Sequence, residues 1–528
     1  MKIYIKRALL ALSLAILLAA VVPGTIFAAA KKTTLETKKL SVQEGSQAAV
    51  KLVNPKKGAV YSYISNKNAV AKVNKKGIIT GVKKGTAKIT VKQTLNKKTT
   101  KIGVVTVKVK ALKTEAKGIS LKGSYAPYVN AYDDAAKVYQ VMLVLDQEVD
   151  GIKASDIKVS ETKTGVVNWD TFETGPITVD RDVVSANLVD AGGERVSTSS
   201  KNVMLGLKVS YDAQSVFAGE GAFFFNVWNT DYHMNFELSK DASLTSGGEP
   251  VAGLVVEDKH AEFKFSDDVN RFSIDSFKAS DGVEYGYACY SPENASDTLV
   301  VWLHGLGEGG AKTYDTDPVI PLIGAEAVAL ARDEFQGRIG GAHILVPQCP
   351  TFWMDLTGEG TEINQSVPDS FYADSLDELI DAYAKKAGAK KIVIAGCSNG
   401  GFMTMIMALR NPAKYAAIIP VCEALEYSAD LNEKLDAIKD LPMYFVYSED
   451  DGTVIPSAFE IPTIEYLKNI NAANLHVSVT DHVYLDYEGQ DSILHNNGHF
   501  SWVYFFNNTT DDGTGLTAWD WLADVLNR

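Results

Sequence analysis

The stretch KIVIAGCSNGGFMTMIMALRNP, beginning at Lys391, centres a serine in Gly396-Cys397-Ser398-Asn399-Gly400, a G-x-S-x-G pattern. By itself the pattern is weak, but an apolar strand-like run enters it and a helical run leaves it. That context lifts a serine clear of a sheet as a nucleophile. A serine hydroxyl needs a base, and the base needs an orienting carboxylate. Four histidines follow Ser398: His476, His482, His495 and His499. His476 and His482 belong to or close a strand-like run, NLHVSVTDH, and read as structural. His499, in NNGHFSWVYFF, comes after a loop and before an amphipathic run, where a base can reach over a sheet edge; His495 is the reserve. The acid should follow the apolar run PMYFVYS, where Asp451 has a D-x-x-V spacing and Asp450 is the alternative. Two backbone N–H groups should face the developing oxyanion. The turn after VVWL (His304-Gly305-Leu306-Gly307) offers that of Leu306, and the start of the helix after Ser398 offers that of Asn399. His304 reads as a residue that shapes this turn. Cys397, one place before the serine, should point back into the sheet as a small packed side chain.

These residues need a frame. From about Arg271 the strand-like runs TLVVWLHG, HILVPQCP, KIVIAGCS, AAIIPVCE and PMYFVYSE alternate with helical segments. Asp369–Ala387 has helical spacing of Phe371, Leu376, Leu379 and Ile380, and Phe402–Leu409 is a second helix stopped by Asn411-Pro412. Alternating β and α with nearly continuous apolar strands predicts a mostly parallel sheet covered by helices on both faces. Ligands on such sheets bind at the C-terminal ends of the strands, where the candidate residues fall. The preceding sequence is different. Residues 31–112 and 113–265 carry short β-rich runs punctuated by turn residues, so two all-β sandwiches are predicted. The run GAFFFNVWN is apolar on both faces, as in a strand held between a core and a neighbour. Trp228 and Tyr232 could line a sugar site, but core packing is the better expectation.

At 528 residues the chain exceeds one ordinary core. Its net charge of −13 conceals a division: residues 31–112 hold 20 Lys against 2 Glu, leaving about −34 on residues 113–528. The lysine excess could hold the protein on anionic cell-wall polymers through summed charge, but a lysine-coated soluble spacer is the better expectation. Residues 1–30 have a positive start, an apolar run from Ala8 to Val22, a Pro23-Gly24 break and a small-residue end at Ala28-Ala29-Ala30. This is the pattern of a secretory signal peptide, which predicts a secreted or surface-held protein with no membrane span after cleavage; an uncleaved anchor is the alternative. Cys289, Cys349, Cys397 and Cys422 have no CxxC spacing, so free, buried thiols are expected rather than a metal site.

Two resemblances sharpen this reading. YSYISNKNAVAKVNKKGIITGVKKGTAKITVK resembles the group 2 bacterial immunoglobulin-like domain, which implies an adhesion or spacer module. LHGLGEGG, HILVPQCPTFWMD, IVIAGCSNGGFMTM, EDDGTVIP and GHFSW resemble secreted bacterial α/β-hydrolase esterases related to polyhydroxybutyrate depolymerases and feruloyl esterases, in the subgroup with an immunoglobulin-like domain ahead of the hydrolase. The resemblance implies an α/β hydrolase at 266–528, an immunoglobulin-like domain at 113–265, and ester hydrolysis without metal or organic cofactor. It gives triad places to Ser398, Asp451 and His499, an oxyanion place to Leu306, and a place near the active-site mouth to Trp353. One extra residue before the proline of VIP departs from the family's D-x-x-V-P form and keeps Asp450 in play. The rival expectations are a prolyl-oligopeptidase-type peptidase, for which the preceding region is too short to form a propeller, and a non-catalytic surface adhesin.

Overall fold

A computed structural model describes residues 32–111, 118–168, 173–220, 225–257, 262–310, 317–485, 493–494 and 498–528. The leader and His495 lie outside the described residues. No described helix is long and apolar enough to cross a membrane.

The N-terminal region is β-rich throughout. Its first part stacks two sheets. One has the strand order Lys39–Gln43, Lys98–Lys110, Gly85–Leu95, Val60–Ser65; the other consists of Gln47–Ala49, Ile78–Gly81 and Ala71–Val73. Alternation puts Ala87, Ile89, Val91, Val105, Val107 and Val109 inside with Val42 and Ile79, while Thr86, Lys88 and Lys108 face out. The second part centres on the long hairpin Ile119–Ala131 and Ala136–Val149, within a seven-stranded sheet packed near the three-stranded sheet Glu173–Arg181, Ile157–Asn168, His233–Leu238. Tyr232 is buried, and Trp228 packs on Phe217, Phe263 and Phe265, so both belong to packing rather than to an open aromatic platform.

The C-terminal half contains an eight-stranded sheet. Its strands are β1 (Ser273–Lys278), β2 (Glu284–Tyr290), β3 (Thr298–Leu303), β4 (His343–Gln348), β5 (Lys391–Cys397), β6 (Ala417–Val421), β7 (Met443–Ser448) and β8 (Leu475–Thr480). The order is β1-β2-β4-β3-β5-β6-β7-β8, and only β2 runs against the others. Every residue of β3, β6 and β7 is buried, which explains their unbroken apolar character. The main covering helices are α1 (Ala373–Ala387), α2 (Asn399–Arg410), α3 (Glu460–Asn469), α4 (Trp502–Phe506) and α5 (Ala518–Leu526). Helix α1 starts four residues later than its sequence pattern predicts. Phe371 precedes it and is 46% exposed, its ring against Gly358, so it is not part of the buried stripe.

The β-rich region and the sheet share a core. Phe225, in the strand Phe225–Trp228, is buried against Phe352, and the Trp228 indole N–H donates to Asp317 Oδ2 at 2.8 Å. Of the run GAFFFNVWN, residues 221–224 lie outside the described residues; the rest joins the two regions through Phe225 and Trp228. Within the sheet, Trp302 of β3 is fully buried, stacked on Phe505 at 5.5 Å and tilted against Phe506 at 4.6 Å. It anchors α4, just after His499. Trp302→Ala should destabilise the C-terminal half by about 3–5 kcal/mol, read as a lowered urea midpoint for that half's transition, with Trp302→Phe losing much less.

Candidate active site

Ser398 stands between β5 and α2 with φ 55° and ψ −116°, a strained conformation for a non-glycine residue. The turn closes because its neighbours have no side chains. A Cβ on Gly400 would lie 1.9 Å from the Leu303 carbonyl oxygen, and one on Gly401 would lie 2.7 Å from that of Val421. Glycine here lets β3 and β6 pinch the serine turn from both sides.

His499 Nε2 lies 2.9 Å from Ser398 Oγ, and His499 Nδ1 lies 2.7 Å from Asp451 Oδ2. Asp451 Oδ1 accepts the N–H groups of Thr453 at 2.7 Å and Val454 at 2.9 Å. All three members of this relay are buried, with Ser398 7% exposed. Asp450, the sequence alternative, faces elsewhere: it accepts from Ser448 Oγ and lies 2.8 Å from His482 Nδ1, a contact that raises the His482 pKa. His476 sits in β8 and pairs with Asp512 at 2.7 Å. Cys422 Sγ joins Asp451 and His499 in a group whose ligand atoms lie within 4.8 Å of one another. Those Asp451 and His499 atoms already engage each other and Ser398, so the grouping is the relay itself rather than a metal cage.

Leu306 opens a one-turn helix, Leu306–Glu308, directly after the β3 turn, and Asn399 is the first residue of α2. Register brings the two segments together, because Leu303 pairs with Gly396. His304 is fully buried; its Nε2 accepts the Cys349 N–H at 2.9 Å and its Nδ1 lies 2.6 Å from the Gly305 carbonyl oxygen. Burial pushes its pKa down to about 4, so the neutral ring braces the turn as its sequence position suggests. Cys397 is buried behind the serine, its Sγ 3.7 Å from where a Gly305 Cβ would stand, and burial raises its thiol pKa. All four cysteines are free.

Trp353 is a correction. Its side chain is fully buried, stacked near Tyr285 and packed on His304 and Tyr372, so it supports the turn from within the core and does not border an open mouth. The next residue makes the nearer link to the serine turn: the Met354 N–H donates to Asn399 Oδ1 at 2.9 Å.

The sequence reading passed over three buried carboxyls. Glu308 Oε2 accepts the Gly305 N–H at 2.9 Å, and burial lifts its pKa to about 8. The Gly305-x-x-Glu308 spacing, that of a capping box, was the available signal. Glu423, just past β6, and Glu460, opening α3, are almost wholly buried. Glu423 accepts the Leu425 N–H through Oε2; its Oε1 and both Glu460 oxygens have no hydrogen-bond partner among the described residues. Burial raises both pKa values, that of Glu423 to about 8; Glu423 and then Asp451 raise that of Glu460 further.

Comparison with known proteins bears on this geometry. Residues 286–488 match the Phospholipase/Carboxylesterase family. The match supports a carboxylic ester hydrolase, on an α/β-hydrolase fold in this region. A crystal structure of a thermostable esterase aligns with TM-score 0.53 and 20% identity over 73% of this chain and 96% of that one, a likeness of fold. The coverage exceeds the hydrolase half, so it takes in β-rich sequence ahead of it. A ferulic acid esterase (TM-score 0.30, 15% identity, 40% of this chain and 90% of that one) and the Pyrococcus furiosus esterase Pf2001 (0.28, 16%, 41% and 85%) align too loosely to argue from. No curated protein matches the chain.

The buried acids make a pH prediction. The folded Glu308 pKa of about 8 lies above the ordinary value of 4.5. Its contribution to stability is therefore full below about 4.5 and is lost as pH rises through 8. Glu308→Gln keeps an acceptor for Gly305 and cannot ionise. Relative to wild type, the variant should gain on the order of a few kcal/mol between pH 5 and 9, measured as the difference between urea midpoints along the pH series.

Proposed function

We propose that the protein is an exported serine esterase that hydrolyses carboxylic esters through an acyl-enzyme. Ser398 attacks the ester carbonyl while His499 Nε2 takes its proton. Asp451 holds the imidazole tautomer and stabilises the charge that forms on it. The Leu306 and Asn399 N–H groups receive the oxyanion. His499 then returns the proton to the leaving alcohol, and a water activated by the same imidazole releases the acid. No step calls on a metal or an organic cofactor. The observation that carries this reading is the unbroken Ser398–His499–Asp451 relay, at 2.9 and 2.7 Å.

The reading of the ester's class rests on the loop that follows Met354. Leu356, Ile363 and Val367 are exposed on the loop that Met354 ties to Asn399. An apolar surface there favours aliphatic or aromatic esters, in keeping with the resemblance to polyhydroxybutyrate depolymerases and feruloyl esterases. Residues 1–30 serve in this reading as the export signal, 31–112 as a group 2 immunoglobulin-like domain in contact with the cell wall, and 113–265 as the immunoglobulin-like domain of the esterase subgroup.

The test is hydrolysis of para-nitrophenyl esters of increasing acyl length, with methyl ferulate and a peptide anilide alongside. Ser398→Ala should lower kcat at least about 10³-fold, and Cys397→Ala should keep most of it. Anilide cleavage without ester turnover would favour a peptidase, and no turnover of either an adhesin. Asp451→Asn should lower kcat by about 10³–10⁴-fold through loss of the productive tautomer. Asp450→Asn, measured in the same assay, should stay within a few-fold of wild type.

A further inference from the structure

The four-stranded sheet of the N-terminal part has an inner face of valine, isoleucine and alanine and an outer face of unusual charge. Strand alternation and register put Lys39, Lys88, Lys92, Lys101, Lys108 and Lys110 on that outer face. Five are exposed and Lys92 is half-buried. Between them stand Ser41, Thr86, Thr90, Thr94 and Thr106, and no acidic residue lies in any of the four strands. Residues 32–111 contain two carboxylates in all, Glu36 and Glu44, and no arginine. None of the six lysines makes an ion pair among the described residues.

The register makes the arrangement costly. Lys92 sits directly opposite Lys101 across the strand pair, and like charges so placed destabilise a sheet. Lys88 and Lys39 flank Thr106 from either side, while Lys108 lies diagonal to both. Lys108 and Lys110 are alternate residues of one strand, about 6.8 Å apart. A patch that repels itself is stabilised by whatever polyanion neutralises it.

We propose that this face is a docking surface for a linear phosphodiester polymer of polyol units. Lysine ammonium groups meet phosphate as flexible point charges, without the forked geometry that arginine would supply. The hydroxyl-bearing residues between them suit a chain that alternates phosphate with alcohol carbons. The two tyrosines of the fourth strand, Tyr61 and Tyr63, pair with Gln93 and Val91 of the inner register, so the outer face, which Val60 and Ile64 border, presents no aromatic ring on which sugars or bases could stack. Elsewhere on this part, Lys76 pairs with Asp231 and the Gly45 turn packs towards Val255. Residues 113–528 carry about −34 and repel the same polymer, which directs it to the lysine-rich part. The inference gives a chemical form to the wall contact read above, and it does not depend on the esterase chemistry.

The test uses the full chain and unsubstituted poly(glycerol phosphate), with polygalacturonate and neutral dextran alongside, at several salt concentrations. One variant carries K39Q, K88Q, K92Q, K101Q, K108Q and K110Q; its control carries K51Q, K57Q, K67Q, K72Q, K75Q and K83Q, an equal loss of charge outside that sheet. Wild type should bind the phosphate polymer with affinity that falls steeply as salt rises, and the face variant should bind at least about tenfold more weakly with a shallower salt slope. The control should stay within about threefold of wild type. The double variant K92Q/K101Q, which only removes repulsion, should melt no lower than wild type and bind more weakly. Equal losses in the face and control variants, preference for polygalacturonate, or no binding by wild type near physiological salt would each overturn the proposal. Turnover of a small soluble ester, measured in every variant, reports on the esterase reading separately and should be the same in all.

Discussion

The site depends on one close approach of backbone to backbone. Gly400 must come near the Leu303 carbonyl for β5 to turn into α2 at Ser398, and no side chain fits between them. Holding Ser398 at positive φ costs on the order of 1–3 kcal/mol, which the buried strands β3 and β6 offset by clamping the turn between them. The same contact brings the start of the Leu306 turn beside the serine. Strain at the serine and the position of the Leu306 and Asn399 N–H groups therefore have a single origin.

Around that turn the protein sorts its carboxyls by the donors it gives them. Asp451 receives two backbone N–H groups and an imidazole. Glu423 receives one N–H group, and Glu460 has no partner among the described residues. A carboxylate with donors can stay charged out of water, whereas one without them keeps its proton. Of the carboxyls buried close by, Asp451 alone is bonded to His499, while burial raises the pKa values of Glu423 and Glu460. His304 follows the same logic in reverse: burial holds its ring neutral, and it serves as a brace.

Much of this was legible because the deciding signals are local. G-x-S-x-G between a strand and a helix, and D-x-x-V after the strand ending at Ser448, each depend on a few adjacent residues, and the residues they single out meet in space. Asp450 and Asp451 could not be separated from sequence, because the choice rests on which side chain the chain's turn aims at a histidine 48 residues on. Trp353 was misread because an aromatic near a loop looks the same whether it borders a cleft or lies beneath it. Glu423 and Glu460 were invisible as a pair, since they belong to separate elements and only the fold brings one carboxyl within reach of the other's charge. The start of α1 was misplaced because Phe371 has the right spacing for the buried stripe yet lies against Gly358, outside the helix.

The seam between the β-rich region and the hydrolase has a further consequence. Phe225 is buried beside Phe352, and Leu306 packs against the same cluster. Such a boundary resists recombination. A hydrolase half moved onto a foreign partner would bring an unfilled hollow next to its own Leu306 turn, and the abandoned half would display an uncovered phenylalanine. The two are therefore expected to travel through evolution as an inherited unit, while the lysine-rich part, joined largely through polar turns, is free to be exchanged.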